Sequence, residues 1–379
     1  MAEYSLNRRH FLGLAATAAG ISSLVAPSRS AVAEPRVEDG IAWYDVSQWG
    51  VEGKGWSDTA RYFDRLPARA EGKVRAPVWS LSRHSAGMLV RFETDAPAIH
   101  TRYDLLSPNL ALPHMPATGV SGLDLYARDE KGRDRWLAIT RPATQRVSGP
   151  LISNIDPLPG SVPRLYTLYL PLYNGVEKLE IGVPSGKSFR GIAPRKDRPI
   201  LFYGTSIMHG ACASRTGMSI SAIVGRRLNR PVINLGFSGN GQMEPEVGLL
   251  LAELDPAVYA IDCLPNMTAD MVAARTEPLI RQLRAARPDT PILLVEDRTT
   301  TNSPFLRSSR ERHESSRAAF RTVYERLKQD GVKGLAYLEG PQLLGDDGEG
   351  ATDGSHPNDL GMVRYADAYE KPLRRLLKG

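Results

Sequence analysis

Only two cysteines, Cys212 and Cys263, occur in 379 residues, which excludes a disulfide scaffold. No Cys-x-x-Cys or Cys/His cluster offers the ligand spacing of a structural zinc site. Runs of one charge are missing too. The formal charge is +6, with acids and bases interspersed, so nothing resembles a nucleic-acid-binding patch. Gly182-Val183-Pro184-Ser185-Gly186-Lys187-Ser188 is one residue short of a phosphate loop and opens no helix. Gly236, Gly239 and Gly241 do not have dinucleotide-fingerprint spacing. No metal or organic cofactor and no nucleic-acid partner are expected, which leaves the chemistry to side chains.

The first 33 residues read as a targeting segment. Asn7-Arg8-Arg9-His10-Phe11-Leu12 is a twin-arginine pattern, a weakly apolar stretch follows to Ala26, and Ala31-Val32-Ala33 is a small-x-small cleavage pattern. Gly13, Thr17, Gly20, Ser22 and Ser23 break the stretch, so it suits a signal peptide better than a membrane span. Export by the twin-arginine route to the periplasm or beyond is expected, with no membrane association afterwards. The leader carries +2 from Arg8, Arg9 and Arg29 against Glu3, leaving +4. The roughly 345 remaining residues suffice for two domains.

Those residues follow two grammars. From 34 to 186 the chain is rich in Pro, Gly and aromatics, with short alternating runs at 88–92, 99–103, 123–126, 165–170 and 176–183. Glu130-Lys131-Gly132 and Tyr173-Asn174-Gly175 separate some of them as turns. This pattern predicts an all-β sandwich or jelly roll. From 187 to 379, apolar strands (199–203, 232–235, 258–263, 292–295, 335–338) alternate with amphipathic helices (219–228, 246–254, 269–287, 309–330, 359–377). Alternation of that kind predicts a three-layer α/β/α domain on a parallel sheet, with ligands at the carboxyl ends of its strands.

Reactive groups stand at those ends. Gly204-Thr205-Ser206 follows the first strand, which puts a serine on a strand-to-helix turn. Asp353-Gly354-Ser355-His356-Pro357 puts an acid and a histidine three residues apart before the last helix. A serine hydroxyl is a weak nucleophile until a base takes its proton, and an imidazole needs a third group to hold its tautomer. Ser206, His356 and Asp353 supply the three parts of a serine hydrolase. Oxyanion donors are at hand in the N–H of Ser206, the N–H of Gly239 and the amide of Asn266.

These segments resemble the four blocks of the SGNH (GDSL-type) hydrolase superfamily. Ser206 stands in a Gly-Thr-Ser-Ile version of the first block, where many members have Gly-Asp-Ser. Gly239, Asn266 and the Asp353/His356 pair match the other three. Gly122-Leu123-Asp124-Leu125-Tyr126 is similar to the Gly-x-Asp-Leu-Tyr signature of a β-rich domain that precedes such hydrolases. Carbohydrate esterases with a jelly roll ahead of an SGNH domain have a similar layout, so the resemblance implies an acetyl or other short acyl ester of a carbohydrate as substrate. A small non-sugar ester, lactone or lipid is the alternative substrate. A secreted glycan-binding protein with a vestigial hydrolase domain is the alternative of another class.

Other residues are ambiguous. His209 and Glu244 are candidates for substrate contact near the mouth, though either could face solvent on a helix, and Glu296 shares that ambiguity. Trp43, Tyr44, Trp49 and Trp56 could form a sugar platform, but packing accounts for side chains of this size. Asp124 and Tyr126 are expected to serve the sandwich or the interface between halves. Cys212 and Cys263 could pair in an oxidising compartment, although buried free thiols are the commoner state.

Overall fold

The computed structural model describes residues 34–378; the predicted leader lies outside them. Polar/apolar alternation builds β1 (Arg36–Glu38), β2 (Ile41–Asp45), β3 (Leu89–Thr94), β4 (Ile99–Leu105), β5 (Asp124–Arg128), β6 (Asp134–Ile139), β7 (Arg146–Ile152), β8 (Arg164–Tyr169), β9 (Val176–Pro184) and β10 (Phe189–Ile192). In β4 the period is strict: Ile99, Thr101, Tyr103 and Leu105 are buried and the residues between them are not. The strands form two antiparallel sheets, ordered β1-β2-β9-β4-β7 and β10-β3-β8-β5-β6. One sheet contributes Phe92, Leu125, Tyr166 and Leu168 to their shared core, the other Ile99, Tyr103, Leu179 and Ile181. This is the expected β-sandwich.

The join from Pro184 to Pro199 has linker composition, but its first residues, 184–188, form a tight turn that carries the chain from β9 in one sheet to β10 in the other. Lys187 N donates to Pro184 O at 3.2 Å, and Ser185 N to Gly40 O at 2.8 Å. Beyond it, β10 pairs with β3, so sandwich strands continue to Ile192, past residue 186. Tight turns and linkers share one composition, and only strand pairing separates them. Two short helices, α1 (Ala76–Ser82) and α2 (Ala117–Val120), lie in this half's loops.

The second half is a parallel sheet of β11 (Ile200–Gly204), β12 (Val232–Gly236), β13 (Val258–Asp262), β14 (Ile292–Val295) and β15 (Leu335–Leu338). Its helices are α3 (Ser206–His209), α4 (Ile220–Leu228), α5 (Pro245–Glu253), α6 (Ala269–Ala286), α7 (Arg307–Gln329) and α8 (Asp359–Leu376). Every residue of β11, β12 and β13 is buried, as a sheet covered on both faces requires. Val247, Leu279, Leu283 and Phe320 of α5, α6 and α7 cover one face. Ile220, Val224, Met362 and Tyr369 of α4 and α8 cover the other. The strand order β12-β11-β13-β14-β15 reverses direction at β11. A crevice opens at such a switch point, beyond the carboxyl end of the strand, and Ser206 lies two residues past that end.

The described residues, 34–378, belong to one compact unit. Leu89, Tyr126 and Tyr169 of the sandwich pack on Ala222 of α4. Buried Asp124 accepts hydrogen bonds from Arg215 Nη1 (2.8 Å), Gly217 N (2.8 Å) and Trp136 Nε1 (2.9 Å). The same Arg215 nitrogen donates to the Tyr126 hydroxyl at 2.7 Å. The Gly-x-Asp-Leu-Tyr segment therefore fastens the first half to the second. Among the described residues, no helix is long and apolar enough to cross a membrane.

Candidate active site

The Ser206 turn is shaped by residues with no room for a side chain. A Cβ on Gly204 would lie 2.7 Å from Asp262 O, and one on Gly241 would lie 2.0 Å from Gly204 O. Thr205, in extended conformation, caps α3 by accepting from Ile207 N at 3.3 Å. Capping is thus done by Thr205 and not by Ser206, whose hydroxyl is left for other partners. Helix α3 makes one turn and ends at Gly210 with φ of 109°. The Ser206 carbonyl is satisfied by Gly210 N, Ala211 N and the Tyr173 hydroxyl.

Ser206 Oγ lies 2.8 Å from His356 Nε2, and His356 Nδ1 lies 2.7 Å from Asp353 Oδ2. An ionised carboxylate only accepts, so Nδ1 carries the ring proton and Nε2 accepts from the serine hydroxyl. Asp353 Oδ1 also accepts from Ser355 N (3.0 Å) and His356 N (2.8 Å). Partial burial pushes the Asp353 carboxyl up, but these backbone bonds and the imidazole outweigh it and hold it at about 2. The loop is closed by Thr352 N donating to His356 O at 2.9 Å. Arg298 grips it from beneath, donating to Ser355 O at 3.2 Å and to the Ser355 hydroxyl. Arg298 is itself paired with buried Asp297, which His313 Nδ1 and Arg312 Nη1 contact at 3.1 Å.

The loop after β12 lies against the Ser206 turn. Phe237 N donates to Gly204 O at 2.9 Å, and Gly241 N to Phe237 O at 3.0 Å. Gly239 has φ of 70° with open space where a side chain would stand. Its left-handed backbone favours glycine and leaves the peptide uncovered. Gly241 N also donates to Asn266 Oδ1 at 3.3 Å, which leaves Nδ2 as the donor end of that amide. Ser206, His356, Asp353 and Asn266 thus gather around the ends of β11, β12 and β13.

His209 and Glu244 lie elsewhere than the mouth. His209 is fully buried. Its ring stacks on Tyr173 with centroids 4.2 Å apart, and its Nε2 lies 3.4 Å from Arg65 Nη2. Burial, with Arg65 and His84 beside it, holds His209 neutral, well below the ordinary histidine pKa. His209, the last residue of the one-turn α3, faces inward onto these groups. Glu244 is also buried. It accepts from Arg75 Nε and the Tyr203 hydroxyl, each at 2.8 Å, and from Gln242 N at 3.2 Å, and so braces the Gly239 loop. Glu296 accepts from the Tyr337 hydroxyl (2.6 Å) and Gly340 N (2.9 Å) beyond β14. Trp43, Trp49 and Trp56 are buried and form no platform. Both cysteines are free and buried.

Several supporting residues carry no local sequence signal. Arg65, 2 % exposed, donates to the carbonyls of Leu81, His84, Asn234 and Gly236. Two of those carbonyls lie in the last turn of β12, so a cation from the first half fixes the start of the Gly239 loop. Asp262, at the end of β13, accepts from the Tyr369 hydroxyl at 2.7 Å, and burial raises its pKa to about 7. Cys212, Asp353 and His356 bring a sulfur, a carboxylate and an imidazole within 4.8 Å of one another. Both imidazole nitrogens are already engaged, and burial lifts the Cys212 thiol to about 11, so the set suits proton transfer better than metal binding.

The GDSL-like lipase/acylhydrolase family profile matches residues 197–374. A profile for the N-terminus of SGNH-hydrolase-type esterases matches residues 41–189. No curated protein sequence gives a significant match. Among solved structures, a protein from Bacteroides ovatus assigned as a GDSL-like lipase is 32% identical, with a TM-score of 0.84 over 89% of this chain and 98% of its own. A salicylyl-acyltransferase from a tetracycline biosynthetic pathway is 18% identical (TM-score 0.65, 90% and 96% covered). A family two carbohydrate esterase from Cellvibrio japonicus is 11% identical (TM-score 0.56, 89% and 98% covered). These last two share the fold. The first relative spans both halves at an identity that carries homology, and with the two profiles it places the chain in the GDSL-like lipase/acylhydrolase (SGNH hydrolase) family.

Proposed function

We propose that this protein is an exported serine esterase that removes acetyl or another short acyl group from carbohydrate, with the catalytic groups on the parallel-sheet half that begins after Ile192 and a sandwich domain before it that supports them. The observation that carries this reading is the unbroken relay Asp353–His356–Ser206, with contacts of 2.7 and 2.8 Å. Ser206 Oγ attacks the ester carbonyl while His356 Nε2 takes its proton. Asp353, ionised at any neutral pH, holds the ring and stabilises its charged form. The oxyanion is met by the N–H groups of Ser206 and Gly239 and by Asn266 Nδ2, each such donor being worth about 3 kcal/mol of barrier. His356 then protonates the leaving alcohol, and water, activated by the same imidazole, clears the acyl-enzyme. Atoms and protons balance without a metal or organic cofactor.

A carbohydrate alcohol is favoured by analogy with the carbohydrate esterase that shares the fold and by the paired sandwich and hydrolase architecture; export rests on the twin-arginine pattern. The test is acetate release by residues 34–379 from acetylated polysaccharides, with p-nitrophenyl acetate as generic ester and Ser206→Ala as control. Release lost in the variant is the expected result. Turnover of the small ester alone would remove the sugar from the proposal, and equal turnover by Ser206→Ala would remove the mechanism.

A further inference from the structure

The ring of His114 lies against that of the proposed base: the centroids of His114 and His356 are 5.8 Å apart and their planes are tilted by 35°. His114 comes from the first half of the chain, 92 residues before the nucleophile. It stands at the tip of a tight turn. Leu112 N donates to Met115 O at 2.9 Å and Met115 N to Leu112 O at 3.0 Å, so Pro113 and His114 form the two-residue loop.

The base of that turn is anchored in the second half. Met115 is 2 % exposed and belongs to the core layer of Phe202, Ile207 and Met208. Thr118 Oγ1 donates to Ser214 O at 2.5 Å. A side chain on Gly119 would strike Ala213 O at 2.3 Å. The turn therefore docks on the segment that leaves the nucleophile helix, and its tip is held from both sides. His114 itself is exposed and makes no hydrogen bond among the described residues. Nothing in the packing requires an imidazole there.

The reaction fixes which part of an ester such a group would meet. The proton that His356 takes from Ser206 must pass to the leaving oxygen, so the alcohol half of the ester lies on the His356 side. The carbonyl oxygen faces the other way, toward Gly239 and Asn266. A side chain that flanks His356 therefore flanks the alcohol. A neutral imidazole has one donor and one acceptor nitrogen, which matches a hydroxyl group, and its flat face suits a pyranose ring.

We infer that His114 is a specificity residue that contacts the alcohol half of the ester and favours polyhydroxylated alcohols. The inference rests on the triad assignment above and deepens it. The test uses the whole exported chain, His114→Ala and His114→Gln, on two ester series. One varies the acyl group (p-nitrophenyl acetate, butyrate, octanoate), and the other varies the alcohol (methyl acetate, p-nitrophenyl acetate, 6-O-acetylglucose with its other hydroxyls free). His114→Ala should lower kcat/KM for the acetylated sugar about fivefold relative to methyl acetate, the factor expected of one neutral hydrogen bond. Gln, which keeps a donor and an acceptor, should recover at least half of that preference. Ratios along the acyl series should stay within about twofold, as should kcat on p-nitrophenyl acetate, since the exposed ring supplies no catalytic proton.

An equal change across both series, or a change in acyl preference alone, overturns the assignment of His114. So does a variant that matches the unaltered protein on every ester while Ser206→Ala is inactive, and in that case the proposed function stands. Absence of turnover of all these esters by the unaltered protein overturns the function and this inference together.

Discussion

At one end of the relay, Ser206 is 6 % exposed and sits among backbone that approaches more closely than a methyl group allows, at Gly204, Gly236 and Gly241. At the other end, Asp353 and His356 keep 40% and 25% of their side chains exposed, and a turn, two backbone donors and Arg298 hold them. The proposed nucleophile is placed by the sheet itself. The proposed base is placed by polar bonds on a loop laid over that sheet. A rigid, buried attack point and a polar, accessible proton carrier are what the chemistry asks for, because only the second must change charge during turnover. Changes at the first end should therefore damage fold and rate together, while changes at the second should damage rate alone.

The largest effect on rate is expected from Asp353→Asn. It keeps the size of the side chain but favours the wrong tautomer of His356, and kcat should fall by about 10⁴. The melting temperature should move little, because only a partly exposed charge is lost. A large fall in melting temperature would blur the contrast between the two ends. Gly241→Ala is the opposite probe. Its methyl would lie 2.0 Å from Gly204 O, so stability should drop by roughly 3 kcal/mol, as for overpacked cores, and activity should fall with it. Urea unfolding alongside kcat would show both; a stable, inactive variant would contradict the coupling.

Ser355→Ala should have a smaller effect. It removes the hydroxyl that Arg298 holds but leaves the Arg298–Asp297 pair intact, so kcat should fall by up to about tenfold, the value of one charge-assisted hydrogen bond, with stability almost unchanged. The smallest effect is one of slope. Asp262 is raised to about 7 in the folded chain, against about 3.9 when unfolded. The folded state therefore holds the extra proton, and this group's contribution is full below about pH 4 and lost as pH rises through 7. Melting temperature against pH should be flatter over that interval in Asp262→Asn; identical slopes would disprove the assignment.

The residues that the structure brings together as a candidate site were legible in the sequence because each is a chemical exception at the end of an apolar strand or in a polar loop. Ser206 follows five buried residues, and Asp353 and His356 share a short turn before α8. Both halves were legible as well, since a period of two in β4 and the alternation of strands with helices state their own geometry. Direction was not. His209 reads as a residue near the mouth until Tyr173 is found stacked on it, and Glu244 reads as free until Arg75, 169 residues earlier, closes on it. Arg65, Arg298 and Tyr173 act on the site through contacts that no local pattern encodes, because their partners (Asn234 and Gly236, Ser355, and the Ser206 carbonyl) lie far along the chain. The join that begins at Pro184 reads as a linker for a simpler reason: proline, glycine and serine describe a bend without saying that a further sandwich strand, β10, comes next.

Arg65 has a consequence for the history of such chains. It satisfies the carbonyls of Asn234 and Gly236 on edge strand β12, which would lose that partner in a second half detached from the sandwich, just as Arg215 and Gly217 would lose Asp124. The two halves are therefore not interchangeable modules. A recombination event that swapped in a foreign sandwich would have to bring an arginine at this position with it, so the pair is expected to be inherited as a single unit, and domain shuffling in this lineage should break elsewhere.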